Sequence, residues 1–337
     1  MLGGGSMFKY LFFAITLLIS AIGIQASTIN EPGFDEVLLA SIPGAFGSYG
    51  SLAVAVDDSG NVYTTGTSSE VYKVTPAGDV SQFGTTGSNG LCLGMIIIGD
   101  TLFVGFDSGD IRTMDLSQPS PNGVLLASIG AGNDAMGMAV APAGFGAYGG
   151  QLVVGSYDGI SVVDPGTGSV SVLISTVGDP HSDVGFTPAG ELLATDYDNN
   201  RIVSVSAAGI ESEFYAGPAE PDGIAVHPGT GEIYVASSSS DSIVKIAPDG
   251  NSSSVFATGA DFDSGWFVSP LRFSVDATTL YYGAGESQMD IYAISGFDGI
   301  GPAPVQVPVP AMSAWALAGL AMLLGLMVFA TRKRLFK

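Results

Sequence analysis

The stretch Pro221-Asp222-Gly223-Ile224-Ala225-Val226-His227-Pro228-Gly229-Thr230-Gly231-Glu232-Ile233-Tyr234-Val235-Ala236 decides the fold. Residues 223–226 and 232–236 are short runs of β-branched, aromatic and small apolar side chains, the composition of strands. Pro228, Gly229 and Gly231 between them supply the backbone angles of a turn. Working outward, residues 242–246 read as a third strand, Pro248-Asp249-Gly250 as another turn, and residues 253–257 as a fourth strand. A turn signal every 8–12 residues is an all-β pattern. Apolar residues fall on both faces of these strands, so each small sheet needs a neighbour on either side.

The second strand of this unit has counterparts along the chain. Val62, Leu102, Leu152, Leu192, Ile233 and Leu280 hold equivalent places, at spacings of 40 to 50 residues. That is the period of a four-stranded propeller blade. The widest spacing is explained by an insertion, Phe145-Gly146-Ala147-Tyr148-Gly149-Gly150, ahead of its strand. Near the start of the body, residues 36–42 (EVLLASI) repeat residues 123–129 (GVLLASI), an outer strand in their own unit. The last unit ends after its third strand, at residues 290–294. Residues 37–42 are therefore expected to complete the last blade. This makes an all-β, six-bladed β-propeller closed by an N-terminal outer strand, which removes the open edge. The competing fold is a β-sandwich.

The chain holds 48 glycines in 337 residues, about twice the usual share, and its 12% of charged residues is about half the usual. Glycine in this amount argues against a helical protein, and 46% apolar residues argue against disorder. All 32 acids lie between Glu31 and Asp298, whereas Lys9, Arg332, Lys333, Arg334 and Lys337 lie in the two ends. The body thus sets five basic residues against thirty-two acids, a formal charge of −27. Nucleic acid is excluded as a partner, because phosphate neutralisation needs Lys and Arg.

The two ends read as addresses. Residues 7–26 (MFKYLFFAITLLISAIGIQA) have a basic start at Lys9, an apolar run and a small residue, Ala26, before a cleavage point, the pattern of a secretory signal peptide. The alternative is an uncleaved anchor. Residues 312–330 are apolar and followed by Arg332-Lys333-Arg334. Nineteen helical residues span about 28 Å, enough for the ~30 Å hydrocarbon core, and the basic cluster sets the tail on the cytoplasmic side. The expected organisation is a signal segment at 1–26, a propeller at 27–299, a Pro-rich spacer and motif at 300–311, a membrane helix at 312–331 and a basic tail at 332–337. Val309-Pro310-Ala311-Met312-Ser313-Ala314-Trp315 resembles the Ile-Pro-Thr-Leu-Ser-x-Trp motif of the IPTL variety of the PEP-CTERM sorting signals of Gram-negative bacteria. Val309, Pro310, Ser313, Trp315, Arg332, Lys333 and Arg334 carry the resemblance. Ala311 and Met312 depart from it. It implies an exosortase-type sorting enzyme as partner and a body that is periplasmic or at the cell surface. The alternative is a plain single-pass anchor.

In the body, Asp196-Tyr197-Asp198-Asn199-Asn200-Arg201-Ile202 resembles the Asp-x-x-Asn-x-Arg-Ile signature of NHL repeats. Pro221-Asp222-Gly223-Ile224 is similar to a strand start shared by NHL and SMP-30/gluconolactonase propellers. Residues just before each inner strand, Asn89, Asp134, Asp183, Asp222 and Asp263, are expected at one mouth of the central channel. Converging carboxylates repel unless a cation or shared protons relieve them, and oxygen ligands suit Ca²⁺. In SMP-30-like lactonases, an Asn in Ser-Asn-Gly-Leu and an Asp in Pro-Asp-Gly contexts bind such a cation. Asn89 and Asp222 match those contexts, while residues 48–52 lack that family's Gly-Glu-x-Pro-x-Trp glutamate. The competing reading is that these side chains bond backbone amides at turns.

His181, in Asp179-Pro180-His181-Ser182-Asp183, is a candidate base beside the rim, and His227 is expected on the surface in a turn. Cys92, the lone cysteine, is expected to be a buried small hydrophobe. P-loop, zinc, Gly-x-Ser-x-Gly and Rossmann patterns are absent. Two functions follow. One is an exported binding module for a polysaccharide or protein near the cell envelope. The other is a Ca²⁺-dependent, lactonase-like hydrolase at the channel mouth.

Overall fold

The computed structural model describes residues 27–42, 53–66, 69–88, 90–260, 262, 269–284 and 289–300. Six antiparallel sheets make six blades. Their inner strands are Val54–Val56, Cys92–Ile98, Ala135–Val140, Val184–Phe186, Pro221–Val226 and Leu271–Phe273, each packed against the next and the last against the first around the channel. In blade 5, Ile233–Ser237, Ser242–Ile246 and Ser253–Thr258 follow outward, within a residue or two of the expected positions.

Asp35–Ile42 pairs antiparallel with Met289–Ser295 and is the outer strand of blade 6. The ring therefore closes as the repeated EVLLASI segment requires. The structure adds one strand that the repeat does not contain. Thr28–Ile29 pairs with Ser253–Thr258 and makes blade 5 five-stranded.

Side-chain alternation explains the scarcity of charge. Within Ile233–Ser237, Ile233 and Val235 face the blade 4 side, while Tyr234 and Ala236 face blade 6. In blade 3, Leu152 and Val154 pack toward blade 2, and Val153 toward blade 4. With period-two alternation, one strand feeds two cores, so both of its faces are apolar. Six such cores lie between the six blade pairs. Cys92 lies in the core between blades 1 and 2, where burial pushes its thiol up to about 12. It is inert packing.

The inner strands approach closely only where side chains are missing. A Cβ at Gly137 would run into the Asp183 carboxylate, and one at Gly223 into the carbonyl of Ser269. The insertion before blade 3's second strand is a 3₁₀ turn, Gly146–Tyr148, with Phe145 folded into the core against Phe186. His227 is a correction. It is not on the surface but buried, with Nδ1 accepting from the amides of Gly229 (3.2 Å) and Thr230 (3.0 Å) and its ring edge-to-face with Phe273. The tight turn wraps around the ring and uses it as an internal acceptor.

No helix among the described residues is long and apolar enough to cross a membrane. The signal segment (1–26), the sorting motif with Val309, Pro310, Ser313 and Trp315, the span at 312–331 and Arg332, Lys333 and Arg334 all lie outside the described residues.

Candidate functional site

Two sets of loops share one end of the channel: those entering the inner strands, and those joining the second and third strands of each blade. Asp134 and Asp183 come from the first set in blades 3 and 4, and Asp222 is the second residue of the inner strand Pro221–Val226 of blade 5. Asp107, Tyr157 and Tyr197 come from the second set in blades 2, 3 and 4.

Asp183 is fully buried. Its Oδ1 accepts from the Val184 amide (2.9 Å) and from Arg272 Nη2 (3.2 Å). Its Oδ2 accepts from the Ile224 amide (3.1 Å) and from Arg272 Nη1 (2.7 Å). Arg272 stands on the inner strand of blade 6 and also donates from Nη1 to the Leu271 carbonyl (2.7 Å). One carboxylate thus ties together the inner strands of blades 4, 5 and 6 and lies against Gly137 of blade 3. The guanidinium fork matches the carboxylate in a two-pronged pair. It does at this point what a bound cation does elsewhere: it neutralises acids that converge on an axis. With both oxygens committed to an arginine and two amides, Asp183 does not fit the role of a calcium ligand.

Asp222 is buried beside it. Its Oδ2 accepts from the amide (3.0 Å) and hydroxyl (3.2 Å) of Ser269. Burial holds its carboxyl well above the usual range, and the charge on Asp183 adds to the effect. Asp134 is raised to about 6, first by burial and then by the charge on Asp107. Asp107, Asp134 and Asp222 line a cavity of about 190 Å³ together with Leu91, Leu93, Met136, Tyr157, Pro180, Ser182 and Tyr197. Most of its wall is apolar, and no basic residue lines it.

The sequence candidates divide accordingly. Asp134 and Asp222 are brought to one cavity; Asp183 is held just behind it by Arg272. Asn89 and Asp263 lie outside the described residues. Among the described residues no group of three or more His, Cys, Asp or Glu stands close enough to hold a metal ion. His181 does not line the cavity. Pro180 and Ser182 face it, and the side chain between them points the other way, as alternation in an extended segment demands. The buried imidazole lies 3.2 Å from the Asp179 carbonyl through Nδ1 and 3.2 Å from Glu211 Oε2 through Nε2. Glu211 in turn takes Arg201 Nη2 (2.7 Å), and Arg201 Nε reaches Asp196 (2.6 Å). Asn199 Nδ2 donates to Asp196 and Asp179, both at 2.9 Å. The NHL-like residues Asp196, Asn199 and Arg201 therefore form a structural staple that ties the second, third and fourth strands of blade 4 to the segment entering its inner strand, and His181 is part of it.

Reading the sequence missed Arg272, Asp107, Tyr157 and Tyr197. The last three occupy one repeat position, just after the second strand, in Phe106-Asp107, Ser156-Tyr157 and Asp196-Tyr197. Aligning that position along with the inner-strand starts would have found them. Arg272 has no counterpart in the other units.

No protein-family model and no curated protein matches the sequence. Solved structures match its fold. A streptogramin B lyase structure gives a TM-score of 0.58 at 12% identity, covering 78% of this chain and 97% of that one. A calcium-binding regucalcin from Agrobacterium tumefaciens gives 0.57 at 16% identity, covering 77% and 97%. A gluconolactonase from Xanthomonas campestris gives 0.56 at 13% identity, covering 80% and 94%. At these identities the likeness is one of fold alone, a six-bladed β-propeller.

Proposed function

We propose that this chain is an exported β-propeller, anchored at the cell envelope, that works as a binding module with the channel-mouth cavity as its ligand site. One observation carries the reading: a cavity of about 190 Å³ walled by Leu91, Leu93, Met136, Tyr157 and Tyr197, with three acids and no base in its lining. The matching ligand group has an apolar body and a cationic or hydrogen-bond-donating head, which the tyrosine faces and the carboxylates both favour. The volume suits a small molecule, or the terminal group of a polysaccharide or protein. Export rests on residues 7–26 and anchoring on residues 312–331, with an exosortase-type enzyme acting at residues 309–315. Calorimetry with tetramethylammonium and with neopentyl alcohol, a neutral molecule of similar bulk, tests the site. Binding of either that is lost in Tyr157→Ala and Asp134→Asn supports it, and no binding by any small probe, cationic or neutral, refutes it.

A second reading, a calcium-dependent hydrolase of the lactonase kind, is favoured by Asp134 and Asp222 reaching one cavity. The Asp183–Arg272 clamp opposes it, because it already supplies a positive charge there. Calcium titration of the wild type and of Asp222→Ala separates the two. Heat that disappears in the variant favours the hydrolase.

A further inference from the structure

Residues 27–42 form a strap across two blades. Thr28–Ile29 pairs with the outer strand of blade 5, the Asn30 amide donates to the Phe256 carbonyl at 2.8 Å, and Lys245 Nζ holds Glu31 at 2.6 Å. The chain then crosses to blade 6, where Asp35–Ile42 closes the ring. Glu36 sits where the two halves of the strap meet. Its Oε1 accepts from Ser27 Oγ at 2.5 Å and from Tyr282 Oη at 2.6 Å. Its Oε2 is buried and has no hydrogen-bond partner. A buried carboxylate oxygen without a donor is costly. No ion pair among the described residues reaches it: Lys245 is taken by Glu31 and Glu232, Arg201 by Asp196 and Glu211, and Arg272 by Asp183. The oxygen is thus left without a donor or a counter-ion among the described residues.

Ser27, already bonded to this carboxylate, follows the small residue Ala26 that ends the leader-like segment. We propose that the Ala26–Ser27 bond is a processing site, and that the α-ammonium group freed at Ser27 binds Glu36 at its orphan oxygen. The proposal rests on residues 7–26 being a removable leader. A leader peptidase hydrolyses the bond. Water adds across the amide, the carboxylate leaves with the leader, and Ser27 keeps the amine. An α-amine has an ordinary pKa of about 7.7–8.0, so it is mostly protonated at neutral pH. In the precursor the same nitrogen is a neutral amide. The pair therefore exists only after cleavage, and it strengthens the segment that closes the ring.

The experiment uses the full chain, produced in an exporting bacterial host and purified in detergent. Mass spectrometry of the N-terminus is expected to show Ser27 first. Acylation of the Ser27 α-amine at pH 7 is then followed in the wild type and in Glu36→Gln. The glutamine keeps an oxygen to accept from Ser27 and Tyr282 but carries no charge. Labelling about ten times slower in the wild type is expected, the effect of raising the amine's pKa by about one unit. The apparent pKa of the amine, from labelling rates across pH, is expected above the ordinary range in the wild type alone, so the wild-type profile decides the matter if the variant folds poorly. A chain beginning elsewhere overturns the leader reading and the site with it. A chain beginning at Ser27 with an ordinary amine pKa, or with equal labelling rates in both proteins, overturns the ammonium site while leaving the leader reading intact.

Discussion

Replacing Arg272 by Met removes the guanidinium and keeps most of the apolar stem. Asp183, fully buried, then keeps only the Val184 and Ile224 amides, and its charge faces Asp222 without a counter-ion. Removing one member of a buried pair costs about 3–5 kcal/mol, because the remaining charge is left uncompensated. For a domain of this size, that is a fall in Tm of about 10 °C. Asp183→Asn in the same chain removes the stranded charge and should recover much of the loss. Thermal and urea denaturation of the wild type, both single variants and the double variant at pH 7 give the cycle. A loss below about 1 kcal/mol for Arg272→Met, with no recovery in the double variant, refutes the clamp.

The other expectations are more local. Asp134, raised to about 6 by burial and Asp107, binds protons more tightly when folded, so it costs stability as pH rises from about 4 to 6; Asp134→Asn should flatten the Tm profile over that window and raise Tm at pH 7. Gly137→Ala drives a methyl group into Asp183 and the backbone around it, and should cost about 1–3 kcal/mol by overpacking, read from the urea midpoint. Arg201→Ala strands the buried Asp196 carboxylate and frees Glu211; a loss of about 2–4 kcal/mol is expected, and none at all would show the staple to be a surface decoration. Cys92, buried with a raised thiol pKa, should resist thiol reagents in the folded protein and react only on unfolding, which a timed Ellman assay reads.

Legibility differed from residue to residue. The second strands at Val62, Leu102, Leu152, Leu192, Ile233 and Leu280 could be found because strand alternation and turn chemistry are local, and because each blade pairs strands that are consecutive in the chain. The closing strand was legible because EVLLASI copies an outer strand that has no blade of its own ahead of it. Thr28–Ile29 was not, since two residues carry no period. His227 was misjudged because a Pro-Gly turn is usually exposed, whereas here it folds over the ring between Phe273 and Phe297. For His181 the sequence sets the place beside Asp183 but not the side: where a side chain in an extended segment points depends on register, and here it turns to Glu211 and away from the cavity.

The amino-acid sequence by itself determined the class, the number of blades and the closure of this protein, because those depend on patterns repeated every two residues and every 40 to 50. Only the tertiary structure decided which charges meet. Arg272 lies 89 residues from Asp183, and Asp107 lies a blade away from Asp134. A ring brings its inner strands to one axis whatever their separation in the chain. Partners across that axis follow no period, and it is there that the converging acids find an arginine.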